Sequence, residues 1–202
     1  INRLSIGIQS FRQADLEYMN RAHNETEAVE AVARARKAGF ENISIDLIYG
    51  LPFSSDEQWK SNLTQALALN VPHISAYGLT IEPQTNFGYL HRKGKLKELP
   101  DEVVNRQFEL LIAALSNAGY EHYEISNFAK PGKYSKHNSA YWQGTPYLGI
   151  GPSAHGFNGR ERYMNVANNK KYVEEITRNH LPETVETLSL SDQYNDYILT
   201  RL

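Results

Sequence analysis

The apolar positions of the chain change repeatedly between the period of two expected for strands and the period of 3.6 expected for helices. A β-branched run at residues 43–48, bounded by Gly50 and Pro52, predicts a buried strand. Predicted strands cover residues 3–9, 43–48, 73–79 and 122–126, with helices between them. This alternation indicates right-handed crossovers and a parallel α/β sheet, either open or closed into a barrel.

The starts of two helices are marked by capping boxes. Asn24 precedes Glu27 by three residues, and Ser55 precedes Gln58 by three residues. The second of these helices is expected to run to about Leu69. Both predicted helices therefore have a defined N-terminus between two predicted strands.

The residue pattern changes after Lys130, where alternating strand and helix patterns give way to loops rich in aromatic residues and Gly. A helical pattern rich in Lys and Glu follows from about Asn168. We expect a partial barrel domain at residues 1–166 and the start of a truncated, mainly helical C-terminal domain at residues 167–202. Both ends of the sequence look cut from a longer chain, because Ile1 opens directly into a strand pattern and Leu202 falls in a helical one.

The composition is that of an ordinary globular protein. Of the 202 residues, 41% are hydrophobic and 22% are charged, which argues against disorder and against a coiled coil. A net charge of -2 gives no overall attraction to nucleic acid, and no apolar run approaches the length of a membrane span. The absence of cysteine excludes disulfides and thiolate-bound metal from these residues.

Polar side chains that follow or interrupt the predicted strands are candidates for a functional site. In parallel α/β folds the loops at the carboxyl ends of the strands converge, which brings Gln9 and Thr80 to one edge of the sheet. Asp46 lies within an apolar strand, where an unpaired carboxylate would be costly, and Arg21 is its expected partner. An alternative is that these two residues form only a structural ion pair.

Two later segments also carry candidate chemistry. In residues 137–142 the imidazole of His137 lies beside Tyr141 and Trp142, a combination suited to ligating and stacking on a flat macrocycle. A single histidine of this kind is more often a hydrogen-bonded loop residue. The Gly-rich residues 149–156 lack the spacing of a phosphate loop and indicate a tight turn beneath a pocket.

Taken together, these segments resemble the radical SAM family that contains oxygen-independent coproporphyrinogen III oxidases (HemN) and HemW-type heme chaperones. The matching motifs are NRLSIGIQSF at residues 2–11, NRAH at 20–23, IDLIYGLP at 45–52, LTIEP at 79–83, HNSAYW at 137–142 and GIGPSAHG at 149–156. They occur in the family's order across nearly the whole chain. The last two motifs are more similar to those of the chaperone branch than to those of the oxidases.

The resemblance implies a partial (β/α) TIM-like barrel that binds S-adenosylmethionine and a 4Fe-4S cluster. By motif match, the residues implied at the S-adenosylmethionine cavity are Gln9, Arg21, Asp46, Thr80 and His155. The residues implied in heme contact are His137, Tyr141 and Trp142. The sequence departs from the family in having no cysteine, so the resemblance places the cluster-binding motif upstream of Ile1 and implies that this segment alone is inert.

Three functions remain open from the sequence. The first is a heme chaperone that binds heme and delivers it to heme-accepting apoproteins. The second is an oxygen-independent coproporphyrinogen III oxidase, which decarboxylates propionate side chains in porphyrin biosynthesis. The third is a cluster-free α/β scaffold that binds neither ligand. The resemblance also implies a cytoplasmic location, and the net charge predicts no nucleic acid partner.

Overall fold

The computed structural model describes residues 1–200, and they form two compact units. Unit 1 is Ile1–Tyr134 and unit 2 is Ser135–Leu202. No helix within residues 1–200 is both long and apolar enough to cross a membrane.

Unit 1 is a mixed sheet with helices packed on one face. In chain order its elements are β1 (Arg3–Gln9), α1 (Gln13–Tyr18), α2 (Glu25–Lys37), β2 (Asn42–Tyr49), α3 (Asp56–Ala68), β3 (His73–Gly78), α4 (Asn86–Arg92), α5 (Asp101–Asn117), β4 (Glu121–Glu124) and β5 (Asn127–Ala129). The five strands lie in the order β1-β2-β3-β5-β4. Neighbours among β1, β2 and β3 are parallel, as the sequence predicts.

The two faces of this sheet differ in polarity. Ile43, Ile45 and Leu47 project from β2 into an apolar core that α2, α3 and α5 cover with residues such as Val32 and Leu111. Side chains alternate across a strand, so the residues between these three project from the opposite face. On β2 that opposite, polar face carries Ser44 and Asp46.

Both predicted capping boxes are present. Asn24 accepts from the backbone N–H of Glu27, and Ser55 accepts from that of Gln58. In each case the side chain of the third helical residue accepts a hydrogen bond from the backbone N–H of the N-cap residue. The second helix ends at Ala68, one residue before the predicted Leu69.

The fourth predicted strand differs from the expected parallel arrangement. The chain turns after β4 and returns as β5, which pairs antiparallel with both β3 and β4. The physical reason is the short connection at residues 125–126, because two residues suffice to join antiparallel strands whereas a parallel pair needs a long crossover.

Unit 2 contains α6 (Lys136–Trp142), β6 (His155–Phe157), β7 (Glu161–Asn165), α7 (Asn169–Thr177), β8 (Glu183–Thr187) and α8 (Leu190–Leu199). Its strands form an antiparallel sheet in the order β6-β7-β8, which the sequence reading did not foresee. Residue 166 lies within this unit, because β7 before it pairs with β8 after it. The domain boundary near residue 166 stays a prediction about the whole protein.

Candidate functional site

Asp46 lies in the middle of the polar face of unit 1. The Ser5 hydroxyl is 3.2 Å from each oxygen of its carboxylate, and Ser75 hydrogen-bonds it from the other neighbouring strand. Burial raises the pKa of the Asp46 carboxyl, and the bonds from Ser75 and Ser5 and the charge of Arg3 act against that rise. The carboxylate is thus half-buried and held by hydroxyl groups from both neighbouring strands.

Arg21 is not the partner of Asp46, so that prediction was wrong. Its side chain is exposed in the loop after α1, and its backbone N–H donates to the Leu16 carbonyl. The neighbours of β2 are β1 and β3, and these strands supply Ser5 and Ser75 instead. The role of Arg21 toward a ligand stays a prediction.

Gln9 ends β1 in a backbone conformation that few side chains adopt. Its φ is 68°, and the register of β1 with β2 shifts between Gly7 and Gln9. A Cβ at Gly7 would lie 2.5 Å from the Gln9 amide nitrogen, so the carboxamide folds over the glycine. Because Gly7 pairs with Asp46, the Gln9 carboxamide lies on the same face of the sheet as the carboxylate.

The loop after Gln9 is held by a buried polar network that the sequence reading missed. The Ser10 hydroxyl donates to Asp15 at 2.5 Å, and the Asn62 side-chain oxygen accepts from the Phe11 N–H at 2.7 Å. Arg12 pairs with Asp15 at 2.8 Å, and the Asp15 side chain is fully buried. The signal that could have located it is an Asp and an Asn at otherwise core-facing positions of α1 and α3.

The other predicted residues of the S-adenosylmethionine cavity lie on separate elements. Thr80 follows β3 and is exposed, with its hydroxyl 3.5 Å from the Gly78 carbonyl. His155 is exposed on β6 and belongs to unit 2, whereas the other four residues belong to unit 1. Because β1, β2 and β3 are parallel, Gln9 and Thr80 occupy the same edge of the sheet.

A second polar group lies one level below Asp46 on the same face. His73 is 1% exposed, its Nδ1 is 2.7 Å from the Ser44 hydroxyl and its Nε2 is 2.7 Å from the Tyr123 hydroxyl. Burial, with a smaller contribution from Arg3, lowers the pKa of His73 to about 4. His73 is therefore a neutral, fully hydrogen-bonded structural histidine at ordinary pH.

The candidate heme residues lie together on α6 of unit 2. The Tyr141 hydroxyl is 3.0 Å from Nε2 of His137, one helical turn away. Tyr141 and Trp142 line a cavity of about 500 Å³, with Tyr147 and Phe157 further along its wall. His137 is not among the described residues that line this cavity. The volume is within the range of about 300–1,000 Å³ typical of small-molecule sites.

The wall of this cavity combines aromatic rings with the guanidinium of Arg162. The Tyr141 and Tyr147 rings meet edge to face, with centroids 4.8 Å apart. Arg162 also lines the cavity and forms ion pairs with Asp196 and, at 3.8 Å, with Glu186. A flat apolar ligand would find both an aromatic surface and a guanidinium there.

The glycine-rich segment at residues 149–156 forms the predicted tight turn. A Cβ at Gly149 would lie 2.2 Å from the His155 carbonyl oxygen, and Ser153 has a φ of 61°. Asn165 holds the turn by donating to the Gly151 carbonyl at 2.8 Å. The close approach of two backbone segments fixes the position of His155 and admits only glycine at residue 149.

The chain itself offers no ligands of the kind a 4Fe-4S cluster requires. It contains no cysteine, and residues 1–200 include no group of three or more His, Asp or Glu side chains that could hold a metal ion. The hydroxyl-bound carboxylate of Asp46, by contrast, fits a nucleoside ligand, whose sugar hydroxyls donate hydrogen bonds.

The chain is similar in sequence to radical SAM proteins and to heme chaperones. The model of the Radical SAM superfamily matches residues 1–66. A curated heme chaperone HemW from Bacillus subtilis (strain 168) is 40% identical over 182 residues, which are 90% of this chain and 48% of the relative. One from Lactococcus lactis subsp. lactis (strain IL1403) is 44% identical over 167 residues, covering 82% of this chain and 44% of the relative. The chain spans about half the length of these relatives.

A solved structure confirms the fold. Coproporphyrinogen III oxidase (HemN) from Escherichia coli, described as a radical SAM enzyme, superimposes with a TM-score of 0.79 at 24% identity. The match covers 99% of this chain and 49% of that one. The predicted α/β architecture, part of a TIM-like barrel, is therefore confirmed.

Proposed function

Because the chain belongs to the radical SAM superfamily, in the family of HemW and HemN proteins, we propose that the full-length protein is a heme chaperone. The observation that carries this proposal is the aromatic cavity of unit 2, with Tyr141 and Trp142 in its wall and His137 one turn away. Heme needs both a flat apolar surface and an axial ligand. Apoproteins that accept heme are the proposed partners, in the cytoplasm.

We also propose that S-adenosylmethionine binds on the polar face of unit 1. Asp46 would accept from sugar hydroxyls, Gln9 would donate through its carboxamide, and the Arg21 guanidinium would pair with the ligand carboxylate. Thr80 is proposed to line the same cavity, and the role of His155 toward this ligand stays a prediction from the sequence. Together with a 4Fe-4S cluster, for which this chain has no thiolate ligand, S-adenosylmethionine would supply carbon-radical chemistry.

Heme titration of the full-length protein tests the chaperone proposal. We expect His137→Ala to weaken heme binding by about tenfold, which corresponds to about 1.4 kcal/mol, because the axial nitrogen is lost. The absorbance of the Soret band reports binding under anaerobic conditions. His180→Ala is the matched control, since it removes an exposed imidazole of the same unit. Equal affinities of the two variants would contradict the assignment of His137.

An assay for decarboxylation of coproporphyrinogen III separates the two functions of the family. A chaperone should bind heme without turnover. Turnover that depends on S-adenosylmethionine would identify an oxidase and would reduce His137 to a residue of the pocket.

Arg21→Ala tests the S-adenosylmethionine proposal. Because the side chain is exposed, we expect the free energy of unfolding to change by no more than about 0.5 kcal/mol. Loss of a charged hydrogen bond to the ligand should weaken binding by about tenfold or more. Calorimetry and thermal unfolding measure the two effects, and Arg34→Ala on the exposed face of α2 is the control. Unchanged affinity for S-adenosylmethionine would refute the role of Arg21.

A further inference from the structure

A row of polar side chains crosses four strands of unit 1 at one level of the sheet. Backbone pairing aligns Asp46 on β2 with Ser75 on β3, and Ser75 with Asn127 on β5. Glu124 on β4 is paired with Asn127 in turn. Directly paired residues project from the same face, so these four side chains form one row, called here the polar row.

The side-chain amide nitrogen of Asn127 has a hydrogen-bond partner in the polar row, whereas the side-chain oxygen has none among residues 1–200. The amide nitrogen donates to the Glu124 carboxylate. Because a carboxylate only accepts, the amide oxygen must be the end that points away from Glu124. Among residues 1–200 that oxygen is buried and has no donor, and Asn127 is 3% exposed. A buried acceptor without a donor is rare and unfavourable, which calls for an explanation.

Ser75 is the donor placed to reach this oxygen. The Ala76 N–H donates to the Ser126 carbonyl, which makes Ser75 and Asn127 a non-hydrogen-bonded pair of the antiparallel ladder. In such pairs the Cα atoms are about 4.5 Å apart and the side chains are close. The Ser75 hydroxyl bonds Asp46, and a serine side chain has three staggered positions. Rotation about the Cα–Cβ bond of Ser75 therefore moves its hydroxyl from one acceptor, the Asp46 carboxylate, to another, the Asn127 side-chain oxygen.

We propose that Ser75 is a positioning residue that moves its hydrogen bond from Asp46 to Asn127 when a ligand hydroxyl or amino group binds Asp46. This inference rests on the proposed S-adenosylmethionine site. The hydroxyl or amino group of the ligand then donates to the Asp46 carboxylate in place of the Ser75 hydroxyl. The Ser75 hydroxyl keeps a hydrogen bond because Asn127 accepts it, so ligand binding leaves no buried hydroxyl unpaired.

A double-mutant cycle on the full-length protein tests this exchange, with S-adenosylhomocysteine as the probe and calorimetry as the measurement. Asn127→Leu should weaken binding by about fivefold when Ser75 is present, since one net hydrogen bond of the bound state is lost. In the Ser75→Ala background the same substitution should have no effect, because no hydroxyl needs the acceptor. If the role of Asn127 is purely structural, Asn127→Leu should weaken binding of S-adenosylhomocysteine equally with Ser75 present and in the Ser75→Ala background.

Ser44→Ala is the matched control for the cycle. It removes a buried hydroxyl of the same face that bonds His73 rather than the polar row. Asn127→Leu should weaken binding by about fivefold in the Ser44→Ala background too, because the exchange at Ser75 is intact there.

A crystal structure of the wild-type protein with S-adenosylhomocysteine gives a second test that needs no variant to fold. The Ser75 hydroxyl should lie within about 3 Å of the Asn127 side-chain oxygen. A hydroxyl that still bonds Asp46, or a cycle without coupling, overturns the exchange but leaves the proposed function standing. A wild-type protein that binds no S-adenosyl ligand overturns both the exchange and the proposed S-adenosylmethionine site.

Discussion

Gln107→Leu is expected to lower the free energy of unfolding by about 2–5 kcal/mol, because it leaves two buried backbone groups without partners. The Gln107 side-chain oxygen accepts from the Gly50 N–H at 2.9 Å, and its amide nitrogen donates to the Ser54 carbonyl at 3.0 Å. Gln107 is fully buried on α5, and leucine matches its size but has no polar atoms. The measurement is urea unfolding of the full-length protein.

Asn105→Leu is the control for this effect, since it replaces an exposed amide on the same helix. Its free energy of unfolding should change by no more than about 0.5 kcal/mol. The segment that Gln107 holds follows the strand of Asp46, so weaker S-adenosylmethionine binding should accompany the loss of stability. If the two leucine variants prove equally stable, the bonds of Gln107 do not hold this segment.

His73 should make the stability of the protein depend on pH between about 4 and 6.5. Its pKa is about 4 in the folded protein, whereas an imidazole in the unfolded chain titrates near 6.5. Between these values the unfolded chain binds one more proton than the folded one, so the free energy of unfolding falls as the pH falls. The full loss is about 3 kcal/mol, reached near pH 4, and above pH 6.5 the contribution is complete.

Unfolding measured from pH 4 to pH 8 in the wild type and in His73→Gln checks this expectation. The glutamine keeps polar atoms for Ser44 and Tyr123 but does not titrate, so the pH dependence between 4 and 6.5 should shrink. His91→Gln, at an exposed histidine of α4, should keep the wild-type dependence. Parallel curves for all three proteins would show that His73 does not contribute.

Strand β2 and the starts of helices α2 and α3 could be predicted from the sequence, because the local sequence signals there agree with the fold. The apolar run of β2 and the capping boxes at Asn24 and Ser55 depend on neighbours within a few residues, and the structure confirms them. The antiparallel course of β5 could not be predicted in this way. It depends on pairing with β3, which is distant in sequence, and no local signal specifies such a partner.

The candidate site shows the same division. Its motifs gave Gln9, Asp46 and the aromatic residues of α6, because residue type and order are enough to recognise a family. They did not give the partners of Asp46, which the sequence reading assigned to Arg21. Those partners are set by which strands flank β2, and strand order is a property of the assembled sheet.

The sequence by itself determined the three parallel strands of unit 1, the capped helices between them, the family and the residue types available for chemistry. Only the tertiary structure decided that Ser5 and Ser75 hold Asp46, that Asn127 lies beside Ser75, and that the strands of unit 2 form a separate sheet. The spacing of apolar residues along a helix or strand indicates which face of that element is buried. A hydrogen bond between strands depends on register and distance, which exist only after distant segments have packed together.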